Sequence, residues 1–172
     1  MQDERGFADC GDPAYLARFL GRVLGGTGGK PMPQTWPKGE QAWTHEQARA
    51  FIAEVVALFH RVDVDGLANG FTEDCVVRFA ELPELRGRAA LRDLFARRLA
   101  KQQDYRLEKT LVALEANRMG NLWTGSWRDR DSGLKMEGRG LEFWTMRDGR
   151  IAVWDAAFNV WQADGPRKSA VL

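Results

Sequence analysis

The chain has 172 residues, and its 25 lysine and arginine side chains nearly balance its 24 aspartate and glutamate side chains, which leaves a formal net charge of +1. This length fits one domain with a substantial core, while the near-neutral balance gives no general attraction to nucleic acid or to an anionic membrane surface. No apolar run is long enough to span a bilayer and the first residues are acidic, unlike a secretory signal, so we expect a cytoplasmic protein with no membrane partner.

Cysteine and histidine are too sparse in this sequence to predict a metal site. Cys10 and Cys75 are the only cysteines, and their separation gives neither a disulfide framework nor metal-ligand spacing, so we interpret both as free thiols. The two histidines are His45, at a predicted helix start, and His60, at a predicted helix end. We therefore expect no metal and no cofactor.

Residues 1–43 form an extension whose glycine and proline clusters set it apart from the rest of the chain. Within it, Asp12 and Pro13 predict the start of a short amphipathic helix. The apolar side chains of that helix recur at steps of three and four residues: Leu16, Phe19, Leu20, Val23 and Leu24. We divide the chain into this extension, a domain over residues 44–163 and a tail over residues 164–172.

Two helices and a strand follow the extension. Thr44 and Gln47 fit a capping box at the start of a long helix. The apolar face of that helix carries Ala48, Phe51, Ile52, Val55, Phe59 and Val62. Residues 63–71 predict a short second helix, residues 72–74 a turn and residues 75–79 a first strand.

A third helix is predicted after Gly87. Its inward side chains are Leu91, Leu94, Phe95 and Leu99. Its other side carries five basic residues: Arg88, Arg92, Arg97, Arg98 and Lys101. We interpret that side as a solvated helix face, with a basic binding patch as the alternative, because the chain as a whole is close to neutral.

Four long alternating segments follow the third helix. Turn signals near residues 117–120, 131–133 and 148–149 separate them, which predicts an antiparallel meander. Helices set apart from such a sheet are typical of an α+β fold. Long strands in a small sheet bend strongly, so helices that partly cover the concave side leave a cavity at the open end.

Two stretches resemble the nuclear-transport-factor-2-like superfamily. VDVDGLANGFTEDCVVRF is similar to its helix-to-first-strand signature, and MRDGRIAVWDAAFN is similar to its closing hairpin. RGRAALRDLFARRLAKQQDYRLEKTLVALEANRM gives a closer similarity to a SnoaL-like subfamily. The resemblance covers about residues 44–161 and implies a cone-shaped, strongly curved antiparallel sheet packed on about three helices, the cystatin-like α+β barrel. It also implies one pocket, which members use as isomerases, cyclases, dehydratases, epoxide hydrolases or plain binding modules.

The resemblance also suggests which positions face the pocket. The ketosteroid-isomerase pattern places Val55, Phe79 and Leu141 at its three catalytic positions, and none of these side chains can transfer a proton. The polyketide-cyclase pattern places an acidic residue before the Asp-Gly turn, where this chain has Glu142. The histidine that partners this acid in the cyclases has no equivalent in residues 122–127.

Glu142 is the main candidate for chemistry. The two-residue period of a strand puts it on one face with Trp144 and Met146, which would line a cavity beside it. A carboxyl group walled by such side chains is desolvated and suited to general acid or base work near neutral pH. The alternatives are an ion pair with a basic residue on an adjacent strand or a solvent-facing side chain.

Other candidates lie on neighbouring strands. Asp155 shares a face with Asn159 and is either a second pocket carboxylate or a charge on the outer face. Arg78 and Lys109 either stabilise an anionic substrate group or neutralise the two carboxylates.

The aromatic residues of the strands supply candidate ligand contacts. Trp123 and Trp127 fall on one face of a strand and form either an aromatic ligand wall or core packing. We include Phe79 as a further ligand contact.

These patterns predict a cofactor-free enzyme that uses Glu142, assisted by Asp155 and Arg78, for acid-base chemistry on a small hydrophobic molecule. The alternative is a non-catalytic module that binds a small ligand or dimerises. The apolar side chains of the outer face, among them Leu141, Phe143 and Val153, predict a homodimer surface.

Overall fold

A computed structural model describes residues 36–79 and 82–165 of the chain. The amphipathic helix predicted near residues 13–24 and the thiol of Cys10 lie outside these residues. The elements in chain order are α1 (His45–His60), α2 (Val64–Asn69), β1 (Phe71–Phe79), β2 (Leu85–Arg86), α3 (Arg88–Lys101), β3 (Gln102–Glu115), β4 (Arg118–Asp129), β5 (Lys135–Arg147) and β6 (Arg150–Gln162).

The predicted start of α1 is confirmed by its capping contacts. The Gln47 backbone N–H donates to Thr44 Oγ1 at 3.1 Å, and the Thr44 backbone N–H donates to Gln47 Oε1 at 2.9 Å. These reciprocal bonds satisfy two backbone donors that a helix start otherwise leaves without partners.

The six strands form one curved sheet in the order β2-β1-β6-β5-β4-β3. The strands from β3 to β6 pair as consecutive antiparallel neighbours, so the predicted meander is confirmed. The sheet is nevertheless mixed, because β1 returns to lie parallel to β6. With three helices in the described residues, the architecture is the predicted α+β fold.

The first strand begins earlier than the sequence pattern suggests. Residues 72–74, predicted as a turn, already belong to β1, because α2 ends at Asn69 with Gly70 as its C-cap and Phe71 then pairs with Ile151. A register shift follows before Val76 meets Val153, so the bulged start of the strand lacks clean alternation. The two-residue strand β2 is too short to show any periodicity.

The turn between β5 and β6 is a tight hairpin, as predicted. Asp148 and Gly149 both have positive φ angles, 51° and 69°. Such angles at both central residues match the right-handed twist of the flanking strands, and aspartate followed by glycine tolerates them well.

The helices pack on the concave face of the sheet. Buried side chains of α1 (Phe51, Ile52, Val55) and α3 (Leu91, Phe95, Leu99) meet the inward side chains of the strands in one apolar cluster. Cys75 is buried in this core with a free thiol. Among the described helices none is both long and apolar enough to cross a membrane.

Candidate functional site

Glu142 points from the centre of β5 into the concave side of the sheet, where only 1% of its surface is exposed. Its Oε1 atom accepts a hydrogen bond from the Lys109 ammonium, and its Oε2 atom accepts one from Trp154 Nε1 at 3.1 Å. The Lys109 side chain is 3% exposed. We call Lys109 and Glu142 the inner ion pair.

Strand register explains how these side chains meet. Glu142 lies opposite Asn121 on β4 and opposite Ala156 on β6. Lys109 on β3 lies opposite Trp123, one side-chain step along β4 from Asn121 on the same face. The long lysine side chain therefore reaches Glu142 diagonally across β4.

Burial governs the ionisation of the inner ion pair. Desolvation lowers the pKa of Lys109, while the carboxylate of Glu142 acts in the opposite direction and raises it. The net direction is downward from the ordinary value of 10.5, so the buried amine gives up its proton more readily than a surface lysine.

The inner ion pair lies at a cavity of about 290 Å³, which we call the aromatic cavity. Its walls are largely aromatic: Phe59, Phe79, Tyr105, Trp123, Trp127, Trp154 and Phe158. Glu142, Lys109 and Arg98 are the charged residues of its lining. A pocket with apolar walls and a few convergent polar groups is the usual form of a small-molecule site.

Two glycines of β5 set the position of the Trp123 indole. A Cβ atom at Gly140 would lie 2.7 Å from Trp123 Nε1 and 2.6 Å from the Cβ atom of Phe158. A Cβ atom at Gly138 would lie 3.2 Å from the same indole ring. Because neither position carries a side chain, the indole packs directly on the strand and forms a flat wall of the aromatic cavity.

Arg98 is a cavity residue that the sequence analysis placed on a solvated helix face. Its Nη2 atom donates to the Tyr105 hydroxyl at 3.1 Å, and its guanidinium lies 5.6 Å from the centre of the Tyr105 ring. The spacing held a signal for this position, because Arg98 follows Leu91 and Leu94 by seven and four residues on the same helical stripe. Its long aliphatic stem lets it pack among aromatic rings while its head remains polar.

The remaining predicted ligand contacts divide between the aromatic cavity and the core. Trp123, Trp127 and Phe79 line the aromatic cavity. Met146 does not line it, because it lies fully buried near the hairpin end of β5. Trp144, which is 1% exposed, faces a second cavity instead.

Asp155, Arg78 and Asn159 lie on the opposite face of the sheet and contribute nothing to the aromatic cavity. Asp155 and Asn159 do share a face, as their spacing predicts, but Trp154 and Ala156 occupy the inner face of β6 and the alternating residues point outward. Arg78 Nη1 lies 3.9 Å from Asp155 Oδ2, and we call these two residues the outer ion pair. The second-carboxylate interpretation of Asp155 is therefore wrong.

The second cavity measures about 350 Å³ and lies beside α1 and α2. It shares three lining residues with the aromatic cavity: Phe59, Lys109 and Trp154. Glu142 lines the aromatic cavity but not the second cavity. Lys109 and Trp154, the two donors to Glu142, thus separate the two spaces.

Asn121 is a polar residue beside Glu142 that the sequence analysis missed. It is 0% exposed, and neither its Oδ1 nor its Nδ2 atom has a hydrogen-bond partner among the described residues. A buried amide without partners is costly, which marks the surroundings of Glu142 as a polar pocket within an apolar core.

Comparison with known families identifies the class of protein. The model of the SnoaL-like domain matches residues 44–154, which is more than half of the chain, so this protein belongs to the SnoaL-like domain family. No curated protein matches the sequence.

Two solved structures show the same fold at low sequence identity. The epoxide hydrolase/cyclase-like enzyme SalBIII, described in pyran ring formation in the polyether salinomycin, has 17% identity and a TM-score of 0.61; the match covers 69% of this chain and 98% of that one. An LEH-like epoxide hydrolase from M. tuberculosis has 16% identity and a TM-score of 0.53, with coverage of 66% and 84%. At these identities the likeness establishes the fold alone.

Proposed function

We propose that this protein is a cofactor-free enzyme that carries out acid-base chemistry on a small hydrophobic molecule in the aromatic cavity. The observation that carries the proposal is the inner ion pair, a carboxyl and an amine held together at an aromatic-walled space. A volume of about 290 Å³ is at the small end of ligand sites, which favours a compact, flat substrate.

Each polar group at the cavity has a chemical role in this proposal. Glu142 removes or returns a proton at a carbon of the substrate, since a carboxylate in a dry site is an effective general base. Lys109 and Arg98 stabilise the negative charge that develops on an oxygen atom as the proton leaves. The aromatic walls hold the flat body of the substrate by stacking and apolar contact.

Proton transfer next to a carbonyl group is the reaction that these groups fit best, and it covers isomerisation and ring closure. Epoxide opening is the second candidate, supported by the fold that the chain shares with the cyclase-like and epoxide-hydrolase enzymes above. A binding module without turnover remains the alternative from a different class.

The test is catalysed exchange of α-protons for deuterium in a panel of small aryl ketones, followed by NMR. We expect Glu142→Gln to lower the exchange rate by about 100-fold or more, because loss of a general base has that magnitude. Asp155→Asn is the matched control, with the same chemical change on the outer face, and its rate should equal that of the wild type. If quenching of tryptophan fluorescence reports ketone binding that Glu142→Gln leaves intact, yet no ketone or epoxide is turned over, the protein is a binding module.

We further propose that the outer face of the sheet forms a homodimer interface. Leu141 and Phe143 on β5 are 52% and 53% exposed and lie side by side on that face. Adjacent apolar side chains of this exposure favour association, and a two-fold dimer lets one patch pack on its own copy. Light scattering should show a dimer at micromolar concentration and a monomer for Phe143→Lys; a monomeric wild-type chain would contradict the proposal.

A further inference from the structure

We propose that Lys109 forms an imine with small aldehydes and ketones that enter the aromatic cavity. The inference rests on the proposed acid-base role of Glu142, and the experiment below separates the failure of either one. Small carbonyl compounds are thus the class of molecule that would bind covalently in the aromatic cavity.

The Lys109 amine has fewer polar partners than a surface ammonium ion, which eases the loss of its proton. In the described part of the chain its Nζ atom has a single hydrogen-bond acceptor, Glu142 Oε1, although an ammonium carries three donors. Its other close neighbour is the Trp144 ring, 4.9 Å from Nζ to the ring centre. Desolvation also lowers the pKa of this amine. A desolvated lysine in an apolar pocket is the form in which lysine acts as a nucleophile toward carbonyl carbon.

Glu142 is placed to move the protons that imine formation requires. Lys109 first passes a proton to Glu142 across their hydrogen bond, which leaves a neutral amine and a carboxylic acid. The Lys109 nitrogen then adds to the carbonyl carbon while the Glu142 carboxylic acid protonates the oxygen, which gives a carbinolamine with a positively charged nitrogen. Glu142 takes one proton from that nitrogen and returns it to the hydroxyl group, which leaves as water. The products are one protonated imine, beside the Glu142 carboxylate, and one water, and no oxidant or reductant is consumed.

The aromatic cavity is the space in which this chemistry takes place. Lys109 borders both cavities, but Glu142 borders the aromatic one alone, so only there does a bound carbonyl group meet the amine and the acid together. Stacking walls on this side, such as Trp123 and Trp127, suit an aryl aldehyde.

The experiment is reductive trapping with 2-naphthaldehyde and cyanoborohydride at neutral pH, read by intact mass and peptide mapping. We expect one adduct per chain, located on the peptide that contains Lys109. Surface lysines such as Lys101 remain protonated and react slowly, since hydrogen bonding to Asp131 raises the pKa of Lys101. Lys109→Arg should lower the trapping rate by about 100-fold, as should Glu142→Gln through loss of the acid.

A matched pair of substitutions tests which cavity is used. Val160→Trp fills the opening of the aromatic cavity and should slow trapping, whereas Glu54→Trp fills the second cavity and should leave the rate unchanged. Both positions are exposed, so neither change disturbs the core.

The outcomes separate this inference from the proposed function. Adducts spread over surface lysines, with Lys109 unmodified in the wild-type peptide map, would overturn the imine, and this result does not depend on any variant folding. If Glu142-dependent deuterium exchange persists in that case, the enzyme proposal stands alone. An adduct confined to Lys109, together with deuterium exchange that Glu142→Gln leaves unchanged, supports the imine and contradicts the acid-base enzyme.

Discussion

The inner ion pair and the outer ion pair each join two strands of this sheet, from opposite faces. The outer ion pair is 46% exposed at Arg78 and 57% exposed at Asp155, and its closest atoms are 3.9 Å apart. The inner ion pair is 3% exposed at Lys109 and 1% exposed at Glu142, and its atoms are in direct hydrogen-bond contact. Each pair joins a basic and an acidic side chain, and the largest difference between them is burial.

Exposure to solvent sets the strength of the interaction within each ion pair. Water screens the outer ion pair, and Arg78 also donates to Glu84 at 2.8 Å, so Arg78 does not depend on Asp155 for a partner. The inner ion pair has lost its hydration, and each partner is the main source of compensation for the other. A buried pair of this kind is weak support for stability, but burial lowers the pKa of Lys109, which suits the lysine to chemistry.

The largest expected effect is the loss of one inner partner. Glu142→Leu leaves the Lys109 cation buried without its carboxylate, which should lower the free energy of unfolding by about 3–5 kcal/mol. Asp155→Leu makes the same change on the outer face and should cost less than about 1 kcal/mol. Urea denaturation followed by tryptophan fluorescence measures both.

The double variant Glu142→Leu/Lys109→Met sharpens this comparison. Removing both charges eliminates the uncompensated cation, so the double variant should be more stable than Glu142→Leu by about 2 kcal/mol or more. Equal losses for the inner and outer substitutions would show that solvent reaches the inner ion pair.

The smallest expected effect is on the pH dependence of the free energy of unfolding, to which Lys109 and Lys101 contribute changes of opposite sign. The pKa of Lys109 is lowered by burial, so below 10.5 the unfolded chain holds more protons than the folded chain, and stability rises with pH in that window. The pKa of Lys101 is raised by its hydrogen bond to Asp131, so its contribution is fully present below 10.5 and is lost as the pH rises through the folded pKa.

Variants isolate the two contributions. The unfolding free energy of the wild type minus that of Lys109→Met/Glu142→Gln should increase as the pH rises from about 7 toward 10.5. The same difference for Lys101→Met should stay flat over that range. A flat line for both would show that Lys109 keeps its ordinary ionisation in the folded chain.

The sequence predicted the sets of residues that share a face but not always which face points inward. On β5 the period grouped Glu142 with Trp144 and Met146, but the other set contains Leu141 and Phe143, so a solvent-facing Glu142 stayed an alternative. On β6 both alternating sets contain a tryptophan, Trp154 on one and Trp161 on the other, so periodicity alone could not place Asp155. Only the pairing of β6 with β1 and β5 decides it.

Diagonal and tertiary contacts are the other part that sequence could not supply. The reach of Lys109 across β4 depends on the offset of three strands, which no local pattern records. The cavity position of Arg98 was missed for a different reason. Its charge led us to assign it to the solvated helix face, although its spacing from Leu91 and Leu94 puts it on the apolar stripe. The α+β fold itself needed only capping, turn and alternation signals, which are local.

Gly140 bears on how a cavity of this kind changes in evolution. A Cβ atom there would lie 2.7 Å from both the Trp123 indole and the Ala157 carbonyl, so we expect substitutions at this position to be selected against regardless of the ligand. We expect more variation at lining residues such as Val160 and Leu94. A lineage that adapts to a new substrate would therefore record the change around the entrance, while the wall formed by Trp123 and Gly140 keeps its shape.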